Sequence, residues 1–180
     1  MRRTRNGFTL IELILVMAII GILSVVGIGA FTQTTLKSKD TQRKSDLNQI
    51  AKALELYYND AGSYPASDDA GKIMCSSPKD LASCNTPIVC TTNFSYCFAG
   101  KTTTYMDKLP ADSSADRKYY YKPDASLNSF ALYAALENSE DRDIVVTSGT
   151  TVKTNWGDEA DCGSAPCNYK ITETGIVRAK

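Results

Sequence analysis

The sequence predicts an α+β protein in which one long N-terminal helix packs on a small antiparallel sheet. Three observations predict this fold: an almost uncharged apolar run over residues 8–31, an apolar stripe at spacings of three and four within residues 32–59, and short alternating segments after residue 117. The 180-residue chain has 43% hydrophobic and 22% charged residues, an ordinary globular composition. This composition excludes a disordered chain, collagen and a simple coiled coil.

The apolar run would extend about 36 Å as a helix, which is enough to cross a bilayer core. A cleavable secretory signal has a shorter apolar stretch of about 7–15 residues, followed by a small residue at the cleavage site. Here the small residue, Gly7, precedes the run. Cleavage after Gly7 would therefore remove the basic leader of residues 1–7 and leave the hydrophobic helix on the mature chain. An uncleaved N-terminal anchor is the alternative.

Glu12 carries the one charge within residues 8–31. A carboxylate near the centre of a lipid-spanning helix costs about 2.5–3.5 kcal/mol on insertion scales, so it requires a partner. The run contains no Lys, Arg or His, and the nearest positive charge would be the α-amine that cleavage creates on Phe8. Pairing between Glu12 of one subunit and the Phe8 amine of another would offset the cost of the buried charge and set the axial register between subunits.

The order Gly7-Phe8-Thr9-Leu10-Ile11-Glu12, after an Arg-rich leader and before an apolar run, resembles the processing signature of bacterial type IV prepilins and type II secretion pseudopilins. The resemblance implies a type IV pilin-like fold, cleavage between Gly7 and Phe8 by a prepilin peptidase, and N-methylation of Phe8. It also implies that Glu12 takes part in docking into a helical filament. The implied partners are other copies of the chain, an inner-membrane assembly platform and its ATPase.

One segment departs from the family pattern. Many pilins carry a proline late in the apolar helix, whereas this chain has Val26-Gly27-Ile28-Gly29 there. Glycine weakens a helix by about 1 kcal/mol relative to alanine, so local unwinding is one interpretation. Close packing of neighbouring helices on the glycines is the other.

The helix is expected to continue through residues 32–59 as an amphipathic segment and to stop at Asp60-Ala61-Gly62. Gly62-Ser63-Tyr64-Pro65 at this end also resembles the pseudopilin pattern, and Leu109-Pro110 followed by Asp112 resembles it further along. The apolar stripe of this segment consists of Leu47, Ile50, Ala51, Leu54, Tyr57 and Tyr58.

Residues 60–180 are expected to form an extracytoplasmic globular domain. A loop-rich, disulfide-stapled connection over residues 60–108 precedes the sheet. The predicted strands are Lys118–Lys122 and Ser129–Glu137, with weaker candidates at Asp143–Thr147, Tyr169–Thr172 and Gly175–Arg178. Short connections predict antiparallel pairing, and the helix stripe is expected to cover the apolar face of the sheet.

The cysteines indicate the compartment. An even number confined to one region predicts up to three disulfides in an oxidising environment, with Cys162–Cys167 as the expected local bridge. Reduced core cysteines and a zinc site are the alternatives, although no two cysteines have the C-x2-C spacing of zinc knuckles. Basic residues flank both ends of the apolar run, so the cysteines place the residues beyond 60 outside the cytoplasm. The six are Cys75, Cys84, Cys90, Cys97, Cys162 and Cys167.

The sequence gives little support for a catalytic site or a cofactor site. The chain has no His, which excludes Ser-His-Asp and Cys-His catalysis and His-ligated metals, and no cofactor is predicted. The acidic clusters Glu140-Asp141-Asp143 and Asp158-Glu159-Asp161 are candidate calcium ligands or else a solvated acidic surface. Tyr119-Tyr120-Tyr121 is a candidate stacking surface, but strand alternation favours burial of the outer two tyrosines and exposure of the middle one.

Residues 60–180 hold 12 basic and 16 acidic residues, so this region is not expected to bind nucleic acid except as indirect cargo. The sequence therefore predicts a structural subunit, a pilin or pseudopilin, and no enzyme. The precursor would cross the inner membrane once and then polymerise into a type IV pilus or a type II secretion-like filament. The rival hypothesis is a membrane-anchored extracytoplasmic binding module or enzyme that does not polymerise.

Overall fold

A computed structural model describes residues 7–76, 87–98, 101–144, 156 and 160–177, with the side chains of 25–32, 76, 87, 97, 98 and 101 left out. The chain forms two compact units, Met1–Ser38 and Lys39–Lys180. Within the described residues there are one α-helix and eight strands. They are α1 (Leu10–Ala61), β1 (Met74–Ser76), β2 (Pro87–Val89), β3 (Phe94–Phe98), β4 (Lys101–Met106), β5 (Tyr120–Pro123), β6 (Phe130–Ala134), β7 (Tyr169–Thr172) and β8 (Gly175–Ile176).

The helix predicted over residues 8–59 is observed as Leu10–Ala61. It ends at Gly62, whose φ of 73° lies in the left-handed region that glycine adopts without steric cost. The Gly62 N–H donates to the carbonyl of Tyr58 at 2.8 Å and so satisfies one of the last carbonyls of the helix. Over the described ranges, no helical stretch combines the length and the apolar character needed to cross a membrane.

The largest sheet has the order β5-β6-β7-β8, and all of its strand pairs are antiparallel, as predicted. Its register places Leu132 opposite both Tyr121 and Ile171, and Ile171 opposite Ile176. Residues that oppose each other across strands share one face of the sheet. One apolar row therefore crosses all four strands.

The helix stripe and this row of the sheet form one core. Leu47 and Leu54 of α1 are fully buried and belong to the same hydrophobic cluster as Leu132 and Ile171. Tyr57 extends the core towards the two small strand pairs, since its ring lies 5.5 Å from that of Phe94 and 4.9 Å from that of Tyr96. The apolar spacing in the sequence thus identifies the helix face that packs on the sheet.

The connection over residues 60–108 contains more regular structure than its sequence predicts. β1 pairs with β2 and β3 pairs with β4, each time antiparallel, to form two separate two-stranded sheets. β3 and β4 are rich in the aromatic and β-branched residues that fit a pleated surface, and their sequence Phe94–Met106 carried that signal. The Cys75–Cys90 disulfide, with a Cα–Cα distance of 5.3 Å, fastens β1 to the residue after β2.

Several of the predicted strand bounds also change. The strand expected from Lys118 begins at Tyr120, and the one expected to run to Glu137 ends at Ala134. Of the weak candidate Asp143–Thr147, Asp143 and Ile144 lie in a turn and the rest lies outside the described residues. The candidate Tyr169–Thr172 is observed with these bounds as β7, and the candidate Gly175–Arg178 is observed as β8, which ends at Ile176.

The reverse face of the sheet has its own apolar cluster, which the sequence did not predict. Tyr133 is 1% exposed and packs with Ala135 and the Cys162–Cys167 disulfide. Tyr120 lies opposite Tyr133 and is half-buried, with the two rings 6.3 Å apart. The expectation that Tyr120 would be solvent-exposed is therefore wrong, because a disulfide-closed segment packs against this face. Tyr121 is buried and Tyr119 half-buried.

Beyond Ala134, side chains replace the backbone pairing of β6. The buried amide of Asn168 accepts a hydrogen bond from Leu136 N–H at 2.7 Å and donates to Leu136 C=O at 2.9 Å. The Asn168 N–H donates to Ala134 C=O, and Arg117 donates to Ala135 C=O at 3.0 Å. These bonds satisfy buried backbone groups that no strand reaches.

Candidate assembly site

The predicted processing site lies at the described start of the chain. Gly7 and Phe8 are both exposed, and Phe8 retains 90% of its accessible surface. A side chain added at Gly7 would meet no other atom within 4 Å. Both residues of the predicted cleavage site are therefore exposed within the described part of the chain. Arg2, Arg3 and Arg5 of the leader lie outside the described residues.

Glu12 and Thr9 form a reciprocal cap on the first turn of α1. The Glu12 carboxylate accepts hydrogen bonds from Thr9 N–H at 2.8 Å and from the Thr9 hydroxyl at 2.7 Å. The Glu12 N–H donates to the same hydroxyl at 3.3 Å. This arrangement is a capping box, in which Thr9 is the N-cap residue and Glu12 the third residue of the helix.

The capping box changes the interpretation of Glu12. The sequence predicts a positive partner for this carboxylate, whereas the described chain gives it a neutral one, Thr9. The nitrogen of Phe8 is still in a peptide bond with Gly7, so no α-amine exists at this stage. Sequence reasoning missed Thr9, although the Thr-x-x-Glu spacing is the readable signature of a capping box.

The helix that follows the cap exposes large apolar side chains all round its circumference. Their exposed fractions range from 48% at Val16 to 76% at Ile11. Contiguous apolar surface of this extent marks a site that contacts another apolar phase or another protein. The side chains that form this exposed apolar segment are Leu10, Ile11, Leu13, Ile14, Leu15, Val16, Met17, Ile19, Ile20, Ile22 and Leu23.

A buried ion cluster lies within the second unit and joins α1 to two distant segments. Arg43 is 1% exposed and donates in a bidentate manner to Asp112, from Nε at 2.7 Å and from Nη2 at 2.9 Å. It also donates to Asp40 at 2.9 Å and to Glu137 at 2.8 Å. Planar guanidinium groups suit this type of multidentate recognition of carboxylates.

The carboxylate of Asp40 connects the cluster to the backbone after β6. It accepts hydrogen bonds from the N–H groups of Glu137 at 2.9 Å and Asn138 at 2.7 Å. Asp40 therefore satisfies the guanidinium of Arg43 and two loop amides at once. We refer to Asp40, Arg43, Asp112 and Glu137 as the arginine cluster.

Ionic hydrogen bonds and nearby charges override burial in setting the pKa values of Arg43, Asp112 and Glu137. Burial acts to lower the pKa of Arg43, but the bonds to Asp112, Glu137 and Asp40 raise it above its ordinary value. Burial acts to raise the pKa of Asp112, yet the bonds from Arg43 and the Ser114 N–H hold it below the usual range. Glu137 follows the same pattern, with burial opposed by Arg43 and Arg117, and its pKa is lowered.

A second ion pair accounts for one of the predicted acidic clusters. Lys44 Nζ lies 2.6 Å from Asp141 and 2.8 Å from Asp143, and 5.5 Å from the centre of the Tyr169 ring. The Lys44 ammonium thus provides the positive charge at these two candidate calcium ligands. In the other cluster, Asp161 pairs with Lys118 at 2.7 Å, and Asp158 and Glu159 lie outside the described residues. Among the residues described, no group of three or more Cys, Asp or Glu side chains is placed to hold a metal.

The structure brings four of the six cysteines together as pairs. Cys75 bonds to Cys90, and Cys162 bonds to Cys167 as the spacing suggested. Cys84 lies outside the described residues, and Cys97 is described only as a backbone position of β3. Neither described pair lies in the helix, so both disulfides stabilise the globular part of the second unit.

Comparison with known proteins places the chain in a family. The motif described as "Prokaryotic N-terminal methylation motif" matches residues 2–28, and the family "Type II secretion system (T2SS), protein G" matches residues 30–143. No solved structure shows a significant match.

Three relatives illustrate the range of similarity. The type II secretion system core protein G of Pseudomonas aeruginosa is 34% identical over 77 residues, which cover 43% of this chain and 54% of that protein. The type IV major pilin protein PilA of Myxococcus xanthus is 39% identical over 68 residues, which cover 38% and 30% respectively. The type IV wide pilus major component PilA4 of Thermus thermophilus is 37% identical over 95 residues, which cover 53% and 72%.

The match therefore spans about half the length of the Pseudomonas relative and most of the Thermus one. Members of this group are pilin and pseudopilin subunits, which are structural proteins and not enzymes. Because the family match covers more than half of the residues and follows directly on the methylation motif, the chain belongs to the type II secretion system protein G family.

Proposed function

We propose that this chain is the precursor of a filament subunit. A prepilin peptidase cleaves between Gly7 and Phe8 and methylates the new Phe8 amine, and the mature chain polymerises with other copies of itself. The observation that carries this proposal is the exposed apolar segment, which begins directly after an accessible Gly7-Phe8 bond. Its side chains have no cover within their own unit, and a filament of parallel helices would bury them.

Residues 8–31 hold the precursor in the inner membrane as a single span before assembly. The apolar run is long enough for this role, and Glu12 is its one charge. The globular part lies outside the cytoplasm, which the two buried disulfides support because such bonds persist in oxidising compartments. An inner-membrane assembly platform and its ATPase move the subunit from the membrane into the growing filament. Nucleic acid enters only as indirect cargo of such a filament.

Glu12 exchanges partners during this process. In the precursor its carboxylate is satisfied by the capping box with Thr9. Cleavage converts the Phe8 nitrogen into a charged amine, which is a stronger partner for a carboxylate than a neutral N–H or hydroxyl. In the filament we expect Glu12 of one subunit to pair with the Phe8 amine of a neighbour. The pair would set the axial offset between subunits.

The capping box supplies a sharp test of this exchange. Glu12→Gln retains a side chain that can complete a capping box but removes the charge, whereas Thr9→Val removes the hydroxyl and keeps the charge. An unpaired ammonium in an apolar bundle costs about 3–5 kcal/mol per broken pair, so Glu12→Gln and Glu12→Leu should reduce filament recovery about tenfold or more. Glu12→Asp should be intermediate, because the charge remains but its reach is shorter.

The measurement is the amount of filament released by shearing, divided by the total membrane-bound subunit. Thr9→Val serves as the matched control and should retain most of the yield. Intact-mass spectrometry of the parent filament should show a chain that begins at methylated Phe8. Normal filament recovery from Glu12→Gln would remove the pairing role of Glu12. Met1 at the terminus of assembled protein would contradict the processing step. A membrane-bound chain that keeps its leader and yields no filament would favour an anchored module that does not polymerise.

A further inference from the structure

Two segments of the second unit are joined by backbone and side-chain contacts. We call residues 112–118 the strap and residues 161–167 the disulfide loop. The Lys118 N–H donates to Cys162 C=O at 3.1 Å, and the Ser164 N–H donates to Asp116 C=O at 2.9 Å. Arg117 and Gly163 form an antiparallel bridge between these two bonds. The Lys118–Asp161 ion pair adds a side-chain contact at 2.7 Å.

The strap is held at its other end by the helix. Asp112 receives the bidentate bonds from Arg43, and the Ser114 hydroxyl accepts from the same guanidinium at 3.2 Å. The Ser114 N–H donates to Asp112 at 2.8 Å and fixes the orientation of that carboxylate. The arginine cluster therefore binds one end of the seven-residue strap, and the disulfide loop binds the other end.

Gly163 makes the contact between loop and strap possible. Its φ of 92° favours glycine, and a side-chain carbon at this position would lie 2.3 Å from Asp116 C=O and 3.2 Å from Arg117 Cα. Both of these neighbours are backbone atoms, so neither can move aside as a flexible side chain would. Any larger residue at position 163 must separate the loop from the strap.

From these contacts we propose that formation of the Cys162–Cys167 disulfide is coupled to closure of the arginine cluster, so that the helix locks onto the sheet when the chain is oxidised. The two thiols lose two protons and two electrons as their S–S bond forms. The electrons reduce the disulfide of an external thiol–disulfide oxidant to a dithiol. The oxidised loop then presents Cys162 C=O and Ser164 N–H in the positions that the strap requires.

The reason for the coupling is the conformational entropy that the disulfide loop must lose before it can bind the strap. In the oxidised chain the bond between Cys162 and Cys167, which are 1% and 0% exposed, restricts the loop before the strap docks. In the reduced chain both segments must be ordered together, and each ordered residue costs about 1–2 kcal/mol of backbone entropy. Asp112 and Ser114 are then held less well for Arg43. This coupling does not depend on filament assembly, and it makes helix docking sensitive to the redox state of the compartment.

Hydrogen exchange of the full-length chain in detergent micelles tests the proposal. The reporter is a peptide over residues 135–144, which contains the Glu137 and Asn138 N–H groups that donate hydrogen bonds to Asp40. A peptide over β3 and β4 is the reference. In the Cys162→Ser/Cys167→Ser chain the reporter should exchange about tenfold faster relative to the reference, because local opening exposes its amides. Gly163→Ala should give the same change with both cysteines intact.

Two matched chains control for general destabilisation. Gly175→Ala alters another glycine of positive φ, 109°, but has no atom within 4 Å of the added carbon. Cys75→Ser/Cys90→Ser removes the other described disulfide. Both should leave the reporter-to-reference ratio within about twofold of the parent. An unchanged ratio in the Gly163→Ala and Cys162→Ser/Cys167→Ser chains would overturn the coupling, as would an equal increase in either control.

Discussion

Residues 10–24 and residues 39–61 belong to the same helix, but the first region exposes its apolar side chains whereas the second buries them. The first region exposes Ile11 at 76% and Leu10 at 75%, while the second fully buries Leu47 and Leu54 and leaves Arg43 only 1% exposed. An apolar helix without cover in its own unit requires lipid or other molecules as its packing partner. A helix whose stripe is covered by a sheet can also enclose a charge, provided that every donor of that charge is satisfied. One helix therefore carries both an exposed apolar surface and part of an internal core.

The largest effect should come from breaking the arginine cluster. Arg43→Met removes the cation that pairs with Asp40, Asp112 and Glu137, and removal of one partner of a buried ion pair costs about 3–5 kcal/mol. Lys52→Met on the exposed face of the same helix is the matched control, and it should change stability by less than about 0.5 kcal/mol. Urea unfolding of the full-length chain in micelles measures both. Equal stability of the two variants would contradict the structural role of Arg43.

Leucine truncation should separate the two regions directly. Leu54→Ala leaves a cavity in the core and should cost about 2–5 kcal/mol of unfolding free energy. Leu13→Ala, at a side chain 59% exposed in the described chain, should leave that free energy unchanged but lower filament yield. Parallel unfolding and shearing assays measure the two properties. A large loss of monomer stability in Leu13→Ala would show that the apolar segment is already packed within the subunit.

Replacement of glycine by alanine should also separate the packed region from the exposed apolar segment, with a smaller change in unfolding free energy. A side-chain carbon at Gly71, where φ is 72°, would lie 2.2 Å from the Tyr120 ring, so Gly71→Ala should cost about 1–3 kcal/mol. Gly21→Ala meets nothing within 4 Å and should favour the helix by about 1 kcal/mol at most. Thermal unfolding followed by near-ultraviolet circular dichroism reports the first, and helix content in micelles the second. Similar behaviour of the two variants would contradict the difference in packing.

The smallest expected effect is the acid sensitivity of the second region. The pKa values of Asp112 and Glu137 are lowered in the folded chain from ordinary values of 3.8 and 4.5. A carboxyl group of this kind contributes stability above its unfolded pKa, and the contribution is lost as the pH falls through the folded pKa. The unfolding free energy should decline below about pH 4, and Asp112→Asn should flatten this decline. Urea unfolding at a series of pH values measures it, and an equally steep decline in the variant would contradict the assignment.

Periodicity in the sequence was sufficient to predict the helix stripe, because Leu47, Ile50 and Leu54 repeat with the period of the element that carries them. It was insufficient for Arg43, whose partners Asp112 and Glu137 lie 69 and 94 residues away. In the sequence, this arginine is only one of the basic residues that follow the apolar run. A buried ion cluster has no local pattern, since it depends on which loops the fold brings together.

The candidate site shows the same division between local and distant information. The position of Glu12 and the bond between Cys162 and Cys167 follow from short spacings within the sequence. The Thr9–Glu12 cap is equally local. It was not predicted, because the pattern of charges alone does not identify a neutral donor. Burial of the reverse sheet face was not predictable, because the residues that cover Tyr133 come from a different part of the chain.

Asn168 has a consequence for the chemical ageing of a long-lived protein. Its amide donates to Leu136 C=O and accepts from Leu136 N–H, so the position needs one donor and one acceptor. Deamidation would replace the donor with a second acceptor and set a carboxylate against a carbonyl oxygen in a buried site. The backbone around Asn168 is itself hydrogen-bonded to Ala134 and enters β7 at the next residue, which opposes the bend that succinimide formation requires. The hydrogen-bonded backbone at this strand end therefore protects a side chain that takes the place of strand pairing.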